Sequence, residues 1–419
     1  MKETTIQLHK GVQFTSIVEP KFKTSVISVI MLLPAEPEKY AELAMLRNVL
    51  LNSCEKYPNA ALMSEQMQNL YGASLNSGIG VIGNTWQTEY FVSVIGDDYA
   101  LEGENLCMEA ASLLLECLLH PNVKQNAFDD VAFRTEQQEL LDTIDSEVNN
   151  KRNYAIKKAR KVIFEGETNS YSVYGTREEV LALTPEKIYK TYQEVLQKAQ
   201  LLIYYVGADE APGLPELFRN AFAERDVSQM LFKAPSPCKP ETVTARETMD
   251  VQQCQLLMAF KIPEVSQETL RVCSMMFGGA PFSLLFSNVR EKMSLCYYCS
   301  SSVFLGKNTI LVSSGVSAEN LEKTRTAILE QLNLLKTGQF EDKLLTDATR
   351  YLTNALRLSG DTPSSCINEA FECFIREDHA NLKERIALYE SVTREDIIRT
   401  ANALILDSVY ILENEEANA

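Results

Sequence analysis

The chain has three histidines, His9, His120 and His379, and none lies within ten residues of another. A helix that holds zinc needs two imidazoles four residues apart on one face, beside a glutamate that can act as base. No register of this sequence supplies that pair, which argues against a helix-borne zinc site of the ordinary kind. The same scarcity weakens a hydrolase triad, because no histidine motif is placed to activate a serine or cysteine. His120 precedes Pro121 at the end of an apolar helix, where a cation suits the last carbonyls, so it reads as a cap. Ten cysteines are scattered, and Cys107, Cys117, Cys254 and Cys273 lie in apolar segments that suit reduced, buried thiols. Cys296 and Cys299 form one C-x-x-C in a Tyr- and Ser-rich stretch that reads as a strand. Residues three apart in a strand face opposite sides, so these two thiols are not expected to act together. Gly278-Gly279 lacks the spacing of a phosphate loop and reads as a turn. Taken alone, Arg290 is a surface cation near a strand start and Tyr297 a half-buried phenol.

The elements that position these residues come in two copies. Glu89-Tyr-Phe-Val-Ser-Val-Ile reads as a strand before an amphipathic helix over 100–119, and Thr309-Ile-Leu-Val-Ser-Ser-Gly as a strand before one over 318–335. Each helix is followed by a polar turn, a phenylalanine (Phe128, Phe340) and another long helix. The ends of the copies match as well. Thr184 and Thr393 are N-cap candidates with a glutamate two residues on, and each helix leads into an apolar strand, 201–206 or 409–412. The order strand, helix, strand, long helices, helix, strand predicts two α+β units of about 200 residues. Phe232-Lys-Ala-Pro-Ser-Pro-Cys-Lys-Pro-Glu, with three prolines, reads as a linker. The expected division is 1–228, a linker over 229–245, and 246–419.

Composition bounds the partners. Over 419 residues, 45% hydrophobic and 23% charged is ordinary for a globular chain. A net charge of −17 argues against a nucleic-acid or anionic-membrane partner, since both need a basic surface. The polar segment 1–10 lacks the apolar core of a signal peptide, and the apolar run 26–33 is far short of the ~20 residues of a membrane span. The expected location is cytoplasmic.

Four segments carry a family resemblance. Tyr174-Gly-Thr-Arg-Glu-Glu-Val-Leu-Ala-Leu-Thr, Phe277-Gly-Gly-Ala-Pro-Phe, Arg290-Glu-Lys-Met-Ser-Leu-Cys-Tyr297 and Tyr71-Gly-Ala-Ser-Leu-Asn resemble motifs of the pitrilysin/insulinase-like zinc peptidases, in the family's order. That resemblance implies two homologous α/β-roll lobes, each a mixed or antiparallel sheet with helices on one face, together half of a clamshell. Active members carry H-x-x-E-H on the first helix and a ligand glutamate on a later one. Here Met45 and Val49 stand at the histidines, Asn48 at the base, Glu136 at the glutamate seven residues before the ligand, and Thr143 at the ligand itself. The resemblance thus implies an inactive homologue with no metal or cofactor of its own, zinc being expected only in a partner. In the family an arginine and tyrosine of the second half reach a zinc site on a facing half, which would make Arg290 and Tyr297 contacts to substrate or transition state. The family's glycine in that segment is Ser294 here. The implied role is a partner or regulatory subunit in peptide binding or processing, paired with a zinc-bearing paralogue or with a second copy. A pure scaffold is the alternative, as is an accessory to translation-factor modification, after the inactive branch named for elongation factor P.

Overall fold

The computed structural model describes residues 1–414 apart from 226, 305 and 377–379, so His379 lies outside the described residues. The strands are β1 (Lys2–His9), β2 (Val12–Val18), β3 (Thr24–Pro34), β4 (Ser74–Ile82), β5 (Thr85–Ile95), the short pair β6 (Val123–Lys124) and β7 (Ala127–Phe128), β8 (Gln200–Gly207), β9 (Val243–Thr248), β10 (Cys254–Lys261), β11 (Cys296–Phe304), β12 (Thr309–Val316) and β13 (Ile405–Glu413). The helices are α1 (Tyr40–Asn52), α2 (Ala60–Asn69), α3 (Leu106–Leu119), α4 (Asp130–Ser146), α5 (Lys151–Ile163), α6 (Arg177–Leu181), α7 (Pro185–Lys198), α8 (Leu214–Ala221), α9 (Gln267–Ser274), α10 (Leu321–Thr337), α11 (Asp342–Leu358), α12 (Pro363–Arg376), α13 (Leu382–Glu390) and α14 (Arg394–Ala403).

The two sheets repeat one another. The first runs β4-β5-β3-β8-β2-β1 and the second β11-β12-β10-β13-β9. In each, the pairings are antiparallel until the fourth and fifth strands, β8 with β2 and β13 with β9, which pair in parallel. The duplicated element order is therefore a duplicated topology, with β1 as an added strand. The helix starts follow the expected chemistry: Thr184 accepts from the Lys187 amide, and Thr393 from the Asp396 amide within a full capping box. The helix expected over 100–119 begins only at Leu106, where Asn105 caps it by accepting from the Met108 amide. Gly103 at φ +77° keeps the preceding residues out of the helix.

Each sheet is buried on both faces. On one face of the first sheet, Ile27, Val29, Met31, Leu201, Ile203 and Tyr205 join a cluster with α1, α3 and α7 residues. On the other, Val26, Ile30, Leu32, Leu202, Tyr204 and Val206 meet Cys366, Ile367 and Phe371 of α12. The strict alternation is the period of two that a strand imposes. The second sheet does the same. Cys254, Leu256, Met258 and Phe260 face α9, α10 and α14 residues, and Leu257, Ala259, Tyr410 and Leu412 meet Ala155, Ala159 and Ile163 of α5.

The compact units accordingly exchange segments. One consists of residues 1–145, 172–232 and 359–378, the other of 146–171, 233–358 and 379–419. The helix that covers the outer face of each sheet thus comes from the other half of the sequence. Its seat in the second unit is fixed by a buried cation. Lys261, 1% exposed, donates to the carbonyls of Ile163 (2.8 Å) and Pro237 (2.9 Å) and lies 3.3 Å from the Asp407 carboxylate. A cation at the last carbonyl of α5 also complements the helix dipole.

Candidate functional site: a degenerate metal position and an Arg–Tyr segment

In the first lobe the resemblance points to α1. The helix buries Tyr40, Ala41, Leu43, Ala44, Met45, Leu46, Val49 and Leu50. Met45 is 0% and Val49 2% exposed, and both sit within the main apolar cluster of that lobe. Neither side chain offers a nitrogen or oxygen to a hard or borderline cation. The two positions that the resemblance sets against imidazoles are core.

The polar remainder is a hydrogen-bonded carboxyl. Glu136 on α4 is 8% exposed and accepts from Asn52 Nδ2 at 2.8 Å. Asn48, one turn before Asn52, also bonds to it, and Arg47 adds a favourable charge. Arg47 in turn donates to the Asn48 amide oxygen, from Nε at 2.8 Å and from Nη2. Burial raises the Glu136 pKa above the ordinary value, the two amides and Arg47 oppose the rise, and nearby Glu139 adds to it. Thr143 is exposed, and its hydroxyl donates to the Glu139 carbonyl on its own helix at 2.8 Å.

The structure therefore joins Glu136 to Asn48, and it adds Asn52 and Arg47, which the motif did not single out. The four-residue spacing of Asn48 and Asn52 was the available signal, since such residues share a helix face. Two amides and one carboxyl with a raised pKa do not make a zinc site, and the fit to that metal fails. Among the described residues no group of three or more His, Cys, Asp or Glu could hold a metal ion. His120 sits at the end of α3, where its amide donates to the Glu116 carbonyl.

In the second lobe the resemblance points to Arg290 and Tyr297. Gly278-Gly279 is no simple turn. It closes a stretch of wide π-type helix over Met275–Gly279, and a second such stretch, Leu285–Lys292, carries Arg290. A Cβ on Gly278 would come within 2.7 Å of the Ser301 amide nitrogen, so the glycine lets this segment lie directly on β11. Ser294 takes the left-handed conformation, φ +52°, that the family's glycine would occupy at no cost. The turn is made here with a strained residue instead of a permissive one.

Arg290 Nε donates to the Tyr297 carbonyl at 3.0 Å, and its guanidinium stacks over the Phe286 ring, 4.6 Å from the centroid. Tyr297 is 62% exposed, more open than the half-buried phenol expected, and it stands on β11, an outer strand of its sheet. The pairing of β11 with β12 skips a residue here, from Cys296 opposite Val316 to Tyr298 opposite Gly315. Tyr297 is thus the extra residue of a β-bulge, a device that re-aims side chains.

That bulge overturns the expectation for Cys296 and Cys299. One inserted residue flips the alternation, so positions three apart come to share a face. Cys299 is 2% exposed within the apolar cluster of the second lobe, and Cys296 packs against the same cluster. Tyr298 faces the other way, its ring beneath the Arg152 guanidinium of α5 at 4.2 Å. The two thiols hydrogen-bond to one another.

Several known proteins are similar to this chain in sequence or fold. Residues 182–352 match the model of the peptidase M16 inactive domain. Over 97% of both chains, the sequence is 26% identical to a protein of Bacillus subtilis (strain 168) described as a probable inactive metalloprotease, YmfF. A second Bacillus subtilis (strain 168) protein, described as an uncharacterized zinc protease, YmxG, is 28% identical over 41% of each chain. The crystal structure of a conserved protein from Enterococcus faecalis V583 superposes with a TM-score of 0.91 at 25% identity, covering 99% of both chains. On these likenesses the chain resembles the M16 peptidases, the pitrilysin/insulinase-like group, and the relative it matches over nearly its whole length is described as a probable inactive metalloprotease.

Proposed function

We propose that this chain is the non-catalytic subunit of a cytoplasmic two-chain peptidase, paired with a zinc-bearing paralogue and acting in peptide binding or processing. The partner supplies zinc, general base and nucleophilic water. This chain supplies chamber wall together with Arg290 and Tyr297. The supporting observation is the unequal state of the two lobes: Met45 and Val49 of α1 are buried in the core, whereas in the second lobe Arg290, on a wide-turned helical stretch, holds the carbonyl of Tyr297 at the bulge of β11. Bacillus subtilis (strain 168) contains both a relative described as inactive and another described as a zinc protease, which fits a division of labour. Tyr297 lies on an outer strand, and such a strand can accept an extended peptide through its free backbone groups.

The test is cleavage of a quenched peptide by this chain reconstituted with the zinc-bearing paralogue from its own genome. Arg290→Ala or Tyr297→Phe is expected to slow turnover at least about tenfold, a conservative bound on the ~10²–10³ typical of one lost oxyanion donor. Tyr297→Phe is the sharper variant, because it keeps the carbonyl that Arg290 holds and removes only the hydroxyl. Full turnover with both residues replaced would overturn their role and leave a scaffold. Loss of assembly would assign the pair to structure.

A further inference from the structure

The bulge at Tyr297 assembles a group that peptide processing does not use. Cys296 and Cys299 lie on one face of β11 with their thiols hydrogen-bonded. They are unequal. Cys299 is buried and its thiol is pushed well above the usual range, first by its bond to Cys296 and then by burial. Cys296 is half-buried, and its pKa is lowered to about 7 by the bond from Cys299, against burial, with Ser314 and the Arg290 charge helping. Of the two, Cys296 is the thiol favoured to lose its proton and Cys299 the one favoured to keep it. A more accessible thiolate beside a buried, protonated second thiol is the arrangement of an attacking and a resolving sulfur.

The molecule contains its own control. Cys54 and Cys117 also hydrogen-bond to one another, and the Cys54 thiol is likewise lowered to about 7, first by that bond. Both of these residues are 0% exposed within the first lobe's core. The two pairs differ in access, which separates a reactive dithiol from an inert one.

We propose that Cys296 and Cys299 are an oxidisable dithiol whose oxidant is a peroxide. The Cys296 thiolate attacks one peroxide oxygen. The O–O bond breaks, an S–O bond forms, and the other oxygen leaves as hydroxide and takes up a proton, giving a sulfenic acid and water. Cys299 sulfur then attacks Cys296 sulfur. The S–S bond forms, and the sulfenic oxygen leaves with the Cys299 proton as a second water. Two thiols and one hydrogen peroxide become one disulfide and two waters. A small dithiol reductant reverses the change. The disulfide draws in the bulge whose central carbonyl holds Arg290, so oxidation displaces that guanidinium. The oxidation itself requires no partner subunit and stands apart from the paired-peptidase function.

The experiment uses the purified full-length chain, reduced, freed of reductant and exposed to hydrogen peroxide, then blocked with an alkylating agent and digested. The peptide holding both residues is expected to lose two hydrogens and to regain them with dithiothreitol, while Cys54 and Cys117 stay reduced. Native alkylation by iodoacetamide is expected to be at least about tenfold faster at Cys296 than at Cys54. In Cys299→Ser, dimedone should label Cys296 as the trapped sulfenic acid. Equal alkylation rates at Cys296 and Cys54 would overturn the proposal. So would a wild-type peptide that advances to sulfinic acid without passing through a disulfide. The wild-type measurements decide it even where a variant fails to fold.

Discussion

The two lobes share five strands in one order, with the same parallel pairing in the same place, yet they treat the helical segment over the sheet in opposite ways. In the first, α1 is a regular helix in which Met45 and Val49, the positions that the resemblance sets against ligands, are fully buried. In the second, the corresponding stretch is wide-turned and interrupted, pressed onto β11 by Gly278, and it ends in a strained serine before a bulge. One lobe gives that face of its helix to packing; the other carries irregular backbone of the kind that positions functional groups. Frame and site are separable, and a duplicated frame does not oblige both copies to keep a site.

If that contrast is right, substitutions in the two lobes should fail in different ways. Met45→Ala should lower unfolding free energy by about 2–5 kcal/mol, the usual range for truncating a buried Met, with chemical denaturation as the readout. The same variant, once assembled with the paralogue, should leave peptide turnover within about twofold, unlike Arg290→Ala. A stability loss below about 1 kcal/mol would mean that the Met45 site is not core.

Glu136→Ala comes next, because it strips the Asn48 and Asn52 amides of their shared acceptor. The expected cost is about 1–3 kcal/mol, the range for a buried polar group left unsatisfied. A neutral outcome would show that water replaces the carboxyl.

Glu136→Gln should act with the opposite sign and depend on pH. The folded pKa of Glu136 is raised, so the folded state binds the proton more tightly than the unfolded chain does. The stabilisation this gives is complete below the unfolded pKa and fades as pH rises through the folded value. Gln keeps an oxygen for Asn52 without a buried charge. It should be more stable than the native chain at neutral pH, and the gain should vanish below the carboxylate range. Denaturation series at pH 4 and pH 7.5 decide it; a gain independent of pH would refute the assignment.

The smallest effect is expected for Arg290→Ala on stability. Its guanidinium is partly exposed, and one charge-assisted bond and one ring contact should contribute about 1 kcal/mol or less. A loss as large as that for Met45→Ala would erase the contrast between the lobes.

Much of this frame can be read from the chain. The apolar strand over 201–206 and the caps at Thr184 and Thr393 are local patterns, and local patterns survive folding. The scarcity of histidine argues from the sequence alone against a helix-borne zinc site, whereas the Glu136 to Thr143 spacing carries meaning only through the resemblance. Three features escaped. The bulge at Tyr297 is a single-residue slip that composition does not announce, and it reversed the conclusion about Cys296 and Cys299. Asn52 lay outside the motif although it shares a face with Asn48. The amphipathic patterns of α5 and α12 say that each must cover something apolar, but not which sheet.

That last feature bears on how the chain is made. The ribosome releases β8, completing the first sheet's strands, before β9 to β12, and α12 follows only after those. Throughout that interval Val26, Ile30, Leu202 and Tyr204 lack their native cover, so the nascent first lobe displays an apolar sheet face suited to chaperone capture. Synthesis pauses, codon choice and chaperone supply along 208–376 should therefore govern the yield of folded protein more than the same variables earlier in the message.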